Sequence, residues 1–210
     1  MPSSPLDINS LLAEWHQEGV TIGGIGSDSL QRLLEIASNY INVIKGYSSF
    51  SPLRLADFGS GVGIPGLLIS ALEPSIDVTL VDAMKKRVDL ASKYVALLDL
   101  KKQCRVVNCR VEELDWRKFR FDVVVARCFS RSSIFAELAT PLLDEGGFML
   151  LTSPHDDFEV RWPSSGLKKL GFAPVELISE GGENFALIKK MGSNSIPSRS
   201  YAKIVKAPLW

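Results

Sequence analysis

The sequence is short of most features that would assign it at sight. Its three cysteines, Cys104, Cys109 and Cys128, are odd in number and form no C-x-x-C pair. That fits reduced thiols in a cytosol better than a disulfide framework, with at least two of them serving as small core residues. Charge of one sign is not in excess, because 24 basic residues balance 24 acidic ones. No global attraction to nucleic acid or membrane follows, so any nucleic-acid site has to be local. No apolar run approaches the roughly 20 residues that span a bilayer, and the start, Met-Pro-Ser-Ser-Pro-Leu-Asp, has neither a basic opening nor an apolar core. A cytoplasmic protein without membrane contact is expected. Low-complexity segments are missing as well, and the length suits one α/β core.

What is present centres on positions 53–66, Leu-Arg-Leu-Ala-Asp-Phe-Gly-Ser-Gly-Val-Gly-Ile-Pro-Gly. Leu53, Leu55, Ala56 and Phe58 supply a short apolar strand. Gly59, Gly61 and Gly63 let the backbone turn tightly, and Pro65 suits the first position of a helix. Gly61, Gly63 and Gly66 also satisfy G-x-G-x-x-G, so the loop by itself fits a dinucleotide as well as a nucleoside cofactor.

The flanking segments narrow the choice. Ile8, Leu11, Leu12 and Trp15 recur at helical spacing, and the glycine-rich stretch 19–26 is expected to end that helix. Ser27 is a plausible N-cap for a second helix, which carries an apolar face from Leu30 to Ile44 before Gly46. After the loop, helix is expected over 65–72, 84–99 and from 132 to Ala139 or Thr140, ahead of Pro141. Strands are expected over 78–81, 104–107, 121–126 and 148–151. Residues 121–126, Phe-Asp-Val-Val-Val-Ala, run apolar almost without alternation, as in a parallel strand buried on both faces. A helix around 162–170 precedes two strands, 173–178 and 184–189, joined across Gly181-Gly182 and therefore antiparallel. The order is a mostly parallel doubly wound sheet closed by a C-terminal hairpin, and it resembles the class I S-adenosylmethionine methyltransferases. From Met191 on, Arg199, Lys203 and Lys206 meet no acidic partner and make a basic tail, a candidate surface for phosphate whose plainer reading is a solvated terminus.

Acids stand at the ends of the first three strands. Asp57 gives Asp-x-Gly-x-Gly-x-Gly, a pattern the dinucleotide fingerprint does not need; a carboxylate there suits the cationic amino-acid end of adenosylmethionine, or else accepts backbone N–H groups of the loop. Asp82 stands where an acid takes ribose hydroxyls in either kind of site. Glu112 and Glu113 fall at the strand edge where an adenine would lie, or simply start a helix. Arg127, ending the fourth strand, suits guanine O-6 or a phosphate, or an ion pair with a nearby acid. Cys128 is placed like the nucleophile of pyrimidine C-5 methyltransferases but lacks the preceding proline. His155, Asp156 and Asp157 have no second histidine near them, and no metal is expected. Asn-Pro-Pro-Tyr, the mark of exocyclic-amine methylation, is absent after the fourth strand.

Asp-Phe-Gly-Ser-Gly-Val-Gly-Ile-Pro-Gly, with Thr79-Leu80-Val81-Asp82-Ala83-Met84-Lys85-Lys86-Arg87-Val88, Arg110-Val111-Glu112-Glu113 and 121–127, resembles the bacterial family once called glucose-inhibited division protein B. Members of that family methylate guanine N-7 of 16S ribosomal RNA. The resemblance implies a Rossmann-like α/β fold with a seven-stranded sheet and S-adenosylmethionine as cofactor. It implies cofactor or catalytic-pocket contacts at Gly59, Ile64, Val111, Glu112 and Arg127, joined by Asp57, Gly61, Gly63 and Asp82 from the readings above, with Arg127 the catalytic candidate. Ribosomal RNA or the small ribosomal subunit is the implied partner of a monomer. Thr152-Ser153-Pro154-His155 and Asn184 stand where the family usually has Lys-Gly and a basic residue, which leaves open a non-catalytic RNA-binding relative or a methyltransferase for another acceptor. The expected organisation is a helical cap over 1–52, a methyltransferase domain over 53–190 and a basic tail over 191–210.

Overall fold

The computed structural model describes residues 7–127, 131–153, 158–192 and 200–210. Cys128, His155, Asp156, Asp157 and Arg199 lie outside the described residues. Two helices lead in, α1 (Ile8–Thr21) and α2 (Leu30–Tyr47). The alternation then runs β1 (Leu53–Phe58), α3 (Gly66–Leu72), β2 (Ile76–Asp82), α4 (Lys85–Leu97), β3 (Cys104–Asn108), β4 (Phe121–Ala126), α5 (Ser132–Ala139) and β5 (Leu143–Thr152). Two short helices, α6 (Phe158–Arg161) and α7 (Ser164–Lys169), precede β6 (Glu176–Glu180), β7 (Glu183–Lys189) and α8 (Tyr201–Lys206).

The seven strands form one sheet in the order β3-β2-β1-β4-β5-β7-β6. The first five pair in parallel, whereas β7 runs antiparallel to β5 and to β6. This is the Rossmann-like arrangement expected, with the hairpin closing it. Every residue of β4 is buried, as its unalternating apolar run requires. Gly181 and Gly182 take φ of 55° and 81°, the left-handed pair that a two-residue hairpin turn demands.

Apolar side chains fill both faces of the sheet. One cluster joins α1 and α2 to α3, α4 and the sheet through Trp15, Leu33, Tyr40, Leu55, Leu67 and Tyr94. The other joins α5, α7 and α8 to the opposite face through Phe58, Phe135, Met149, Leu167 and Ile204.

Local boundaries differ from expectation where tertiary contacts override local signals. The first helix continues through Gly19, because that glycine is in close contact: a Cβ there would stand 2.5 Å from Ile25 Cδ1. The N-cap of α2 is Ser29, not Ser27; its hydroxyl accepts the Arg32 N–H at 3.2 Å. Pro65 is the N-cap residue of α3, one place before the helix proper. Pro163 divides the expected helix around 162–170 into α6 and α7. Pro174 has no N–H to give a ladder, and β6 begins only at Glu176. The described part of the tail is not a free terminus. It forms α8, buries Ile204, and lays the Trp210 indole against Gly166 with its Nε1–H donating to Arg161 O at 2.9 Å.

Candidate functional site at the carboxyl edge of the sheet

The carboxyl ends of β1, β2 and β4 converge on the glycine loop between β1 and α3. Its first turn is fastened to the neighbouring strand, since the Gly59 and Ser60 N–H groups both donate to Val81 O, at 2.8 and 3.1 Å. Gly59, Gly61 and Gly63 have φ of 70°, 58° and 110°, which side-chain-bearing residues rarely adopt. Ile64 is half-buried and packs on the core.

Asp57 is fully buried beneath this loop. Its Oδ2 accepts the Gly66 N–H at 2.8 Å, and its Oδ1 is a buried oxygen without a hydrogen-bond partner. Burial pushes its carboxyl well above the usual carboxylate range; the Gly66 N–H pulls the other way, and the Asp82 charge adds to the rise. Gly66 can only be glycine here, because a Cβ would meet Asp57 Oδ2 at 2.8 Å and the Leu80 side chain closer still.

Asp82 is clamped from two sides. Oδ2 accepts the Gly61 N–H at 2.9 Å and Oδ1 the Met84 N–H at 2.7 Å, so the side chain ties the glycine loop to the segment that opens α4. Each oxygen keeps a further acceptor position for a ligand hydroxyl. Beside it lies a cleft of about 260 Å³ lined by Gly59, Asp82, Met84, Arg87, Cys109, Arg110, Val111, Glu112 and Tyr201. Val111 and Glu112 belong to a one-turn 3-10 helix, Val111–Glu113, whose Glu113 Oε2 accepts the Arg110 N–H at 2.9 Å. The structure thus brings Gly59, Asp82, Val111 and Glu112 to one cavity, with Asp57, Gly61, Gly63 and Ile64 in or under the adjoining loop.

Arg127 stands apart from that cleft. Its Nη2 donates to Asp28 Oδ2 at 2.5 Å, an ion pair to the segment joining α1 and α2, and His16 Nε2 lies 2.8 Å from the Asp28 carbonyl oxygen. Of the cysteines, Cys104 is buried with its thiol pushed up to about 12, mainly by burial; Cys109 is half-buried and raised by burial and by Glu113 and Glu112. Neither is a ready nucleophile.

Several residues that shape the site carried no such role in the sequence. Trp15, fully buried, donates its Nε1–H to Val62 O at 2.9 Å and so pins the glycine loop from outside. Tyr40, also fully buried, donates to Ala126 O at 2.9 Å and accepts the Thr152 N–H at 3.2 Å, locking together the ends of β4 and β5. Tyr201 closes the cleft from the C-terminal helix. For Trp15 and Tyr40 the visible signal was an apolar helix face; for Tyr201 the sequence offered none.

Comparison with known proteins identifies the family and the fold. The family model described as rRNA small subunit methyltransferase G matches residues 8–166. A protein of that name from Lactobacillus delbrueckii subsp. bulgaricus is 37% identical over 123 residues, 56% of this chain and 51% of the relative. Another from Streptococcus equi subsp. zooepidemicus is 28% identical over 189 residues, covering 86% of this chain and 79% of its own length. The chain spans about half the length of the first of these relatives. Among solved structures, a putative S-adenosyl-L-methionine-dependent methyltransferase from Methanococcus maripaludis superposes with a TM-score of 0.58 at 15% identity, over 93% of this chain and 99% of that one. TrmN from Thermus thermophilus gives 0.55 at 19% identity, over 80% of this chain and 55% of that one. At such identities the structural likeness speaks for the fold. With the match of the family model over most of its length, the chain belongs to the GidB family, rRNA small subunit methyltransferase G.

Proposed function

We propose that the protein is an S-adenosylmethionine-dependent methyltransferase acting on guanine N-7 of 16S ribosomal RNA, as a cytoplasmic monomer. The observation that carries the cofactor half is the cleft of about 260 Å³ beside the glycine loop, with Asp82 and Glu112 on its walls. The orphaned Asp57 Oδ1 fits the group as well, because a buried carboxylate oxygen without a donor is what an ammonium, directly or through one water, would satisfy. In this reading Asp82 and Glu112 take the hydroxyl and amino groups of the nucleoside, Val111 and Met84 flank its ring, and the Gly59–Gly63 backbone lies against the chain of the amino acid.

Adenosylmethionine supplies an electrophilic methyl group on a sulfonium, and guanine N-7 supplies a lone pair with no proton to lose. No general base is then needed, and the protein's work is alignment and exclusion of water. Arg127 is the residue we assign to the guanine, donating to O-6 or a neighbouring phosphate. To do so its guanidinium has to share or leave Asp28. That engagement favours a second reading, an RNA-binding relative that methylates nothing.

Titration calorimetry tests the first half. Micromolar binding of adenosylmethionine, lost in Gly59→Val, is expected, and binding of a nicotinamide dinucleotide instead would overturn it. Methyl transfer to 16S ribosomal RNA from a strain lacking the enzyme, mapped by primer extension, tests the second. An unchanged modification profile would favour the non-catalytic reading.

A further inference from the structure

We infer that the amino-terminal edge of the sheet, opposite the glycine loop, carries a second RNA contact: a cleft that binds the phosphodiester backbone of single-stranded RNA without reading its bases. The cleft has a volume of about 370 Å³, and six cationic side chains line it: Arg54, Lys101, Lys102, Arg105, Lys118 and Arg120. The one acid among its lining residues is Asp77. In a chain with equal numbers of basic and acidic residues this is a pronounced local segregation of charge.

The six cations are not equivalent. Arg54 and Arg120 are held from behind: Arg54 Nη2 is 2.6 Å from Asp122 Oδ1 and 2.7 Å from Asp144 Oδ2, and Arg120 Nη2 is 2.5 Å from Asp144 Oδ1. Their charge is largely spent on the fold. Lys101, Lys102, Arg105 and Lys118 are exposed and form no ion pair among the described residues. The Arg105 guanidinium lies 5.9 Å from the centre of the half-buried Phe119 ring, which stacks in turn on Phe121. A positively charged groove with an aromatic ring in its wall suits single strands.

The layout argues for a polymer over a lone phosphate. Of the unpaired cations, Lys101, Lys102 and Arg105 come from the start of β3 and Lys118 from the segment before β4, while β1 adds the paired Arg54 and β2 the acid Asp77. The strands β3 and β4 themselves stand three inter-strand spacings apart, about 14 Å. A single phosphate would call for donors converging on one point; a row of separated charges matches successive phosphates. Contacts of this kind position a nucleic acid and carry no sequence information.

The choice of RNA as the polyanion rests on the proposed function, but the cleft's test does not depend on methyl transfer. Binding of a fluorescent single-stranded 20-mer RNA of mixed sequence is measured by anisotropy from 50 to 300 mM salt, for the full chain and for Lys101→Gln/Lys102→Gln/Lys118→Gln. The triple variant should bind more weakly, with the slope of log affinity against log salt reduced by about 2. The triple Lys→Arg variant should restore the parent slope, and adenosylmethionine affinity should stay unchanged in both. A Gln variant that keeps the parent's affinity and slope would overturn the cleft. So would parent protein that sediments with anionic vesicles through these lysines yet shows the same RNA binding after their removal. Failure of the parent to bind adenosylmethionine would sink the proposed function and leave this slope readable.

Discussion

The two edges of the one sheet are built on opposite terms. At the carboxyl edge the polar side chains are mostly engaged by the chain itself: Asp82 by two backbone N–H groups, Asp57 by one, Tyr40 by a carbonyl and an amide, Arg127 by Asp28. At the amino edge four exposed cations form no ion pair among the described residues. Groups fixed by backbone hydrogen bonds hold their geometry to a fraction of an ångström, which suits one small ligand in one pose. Long cationic side chains on a surface keep their rotamer freedom and suit a flexible polyanion held by charge. On the proposed function the contrast divides the labour, one edge specifying and the other gripping.

The contrast breaks first at Trp15. This indole is fully buried against the glycine loop, and truncation loses both its packing and its hydrogen bond to Val62 O. Trp15→Ala should cost about 4 kcal/mol of stability, a fall in melting temperature of about 8–16 °C by circular dichroism. Adenosylmethionine affinity should drop with it, because the loop loses its outer support, while the salt slope for RNA at the opposite edge should not move.

Asp122 makes the reciprocal break. It is buried on β4, and its Oδ2 accepts both the Arg54 backbone N–H at 2.8 Å and the Arg54 Nε–H at 3.0 Å. Because the Arg54 side chain is 44% exposed and keeps Asp144, solvent screens much of the loss. Asp122→Ala should cost about 2 kcal/mol in denaturant unfolding. Removing this acid frees positive charge in the basic cleft, so RNA affinity at low salt should hold or rise while adenosylmethionine affinity stays put. A variant that loses cofactor affinity as much as stability would show the two edges to be coupled.

How much of this was legible follows from what each feature depends on. The strands, the helices as far as α5 and the closing hairpin were readable because hydrophobic periodicity and glycine or proline punctuation are local properties of the chain, whereas α8 forms in a stretch that reads as a solvated terminus. The residue types at Asp57, Asp82 and Glu112 were readable from their spacing to the strands. Their partners were not, since a backbone N–H such as that of Gly61 or Gly66 leaves no mark in the sequence. Trp15 to Val62, Asp28 to Arg127 and Tyr201 over the cleft each join segments far apart in the chain, and no periodicity records such a meeting. The basic cleft was hidden for the same reason. Its lysines and arginines are scattered through a neutral sequence, and only the strand order collects them.

Asp57 sharpens the comparison through pH. Burial raises its folded-state pKa well above the usual carboxylate range, so the native state holds this proton more tightly than the unfolded chain does. Between the two values the folded state binds more protons, and stability falls as pH rises through that window, levelling off above the folded pKa. Asp57→Asn keeps an oxygen for the Gly66 N–H and removes the ionisation. Its stability relative to the parent should therefore climb with pH from about 4 upward and then plateau, in denaturant melts at a series of pH values. A gap that stays constant with pH would mean the carboxyl titrates normally. The same variant should lose about tenfold or more in adenosylmethionine affinity if the orphaned Oδ1 receives the ammonium.

The smallest expected effect is the most informative about the acceptor. Asp28 and Arg127 are partly exposed, at 36% and 24%, so their 2.5 Å ion pair should be worth less than about 1 kcal/mol of stability. Asp28→Asn leaves the backbone carbonyl that meets His16 in place and removes only the charge that occupies the guanidinium. If Arg127 serves the guanine or its phosphate, the variant should unfold like the parent and bind adenosylmethionine like the parent, while KM for ribosomal RNA falls by about two- to fivefold and kcat is retained. Arg127→Lys should do the reverse, because an ammonium cannot reproduce the guanidinium's planar fork. If the pair merely ties the α1–α2 segment to the sheet, both variants will shift stability alone, and RNA recognition at this edge must then be sought in other residues.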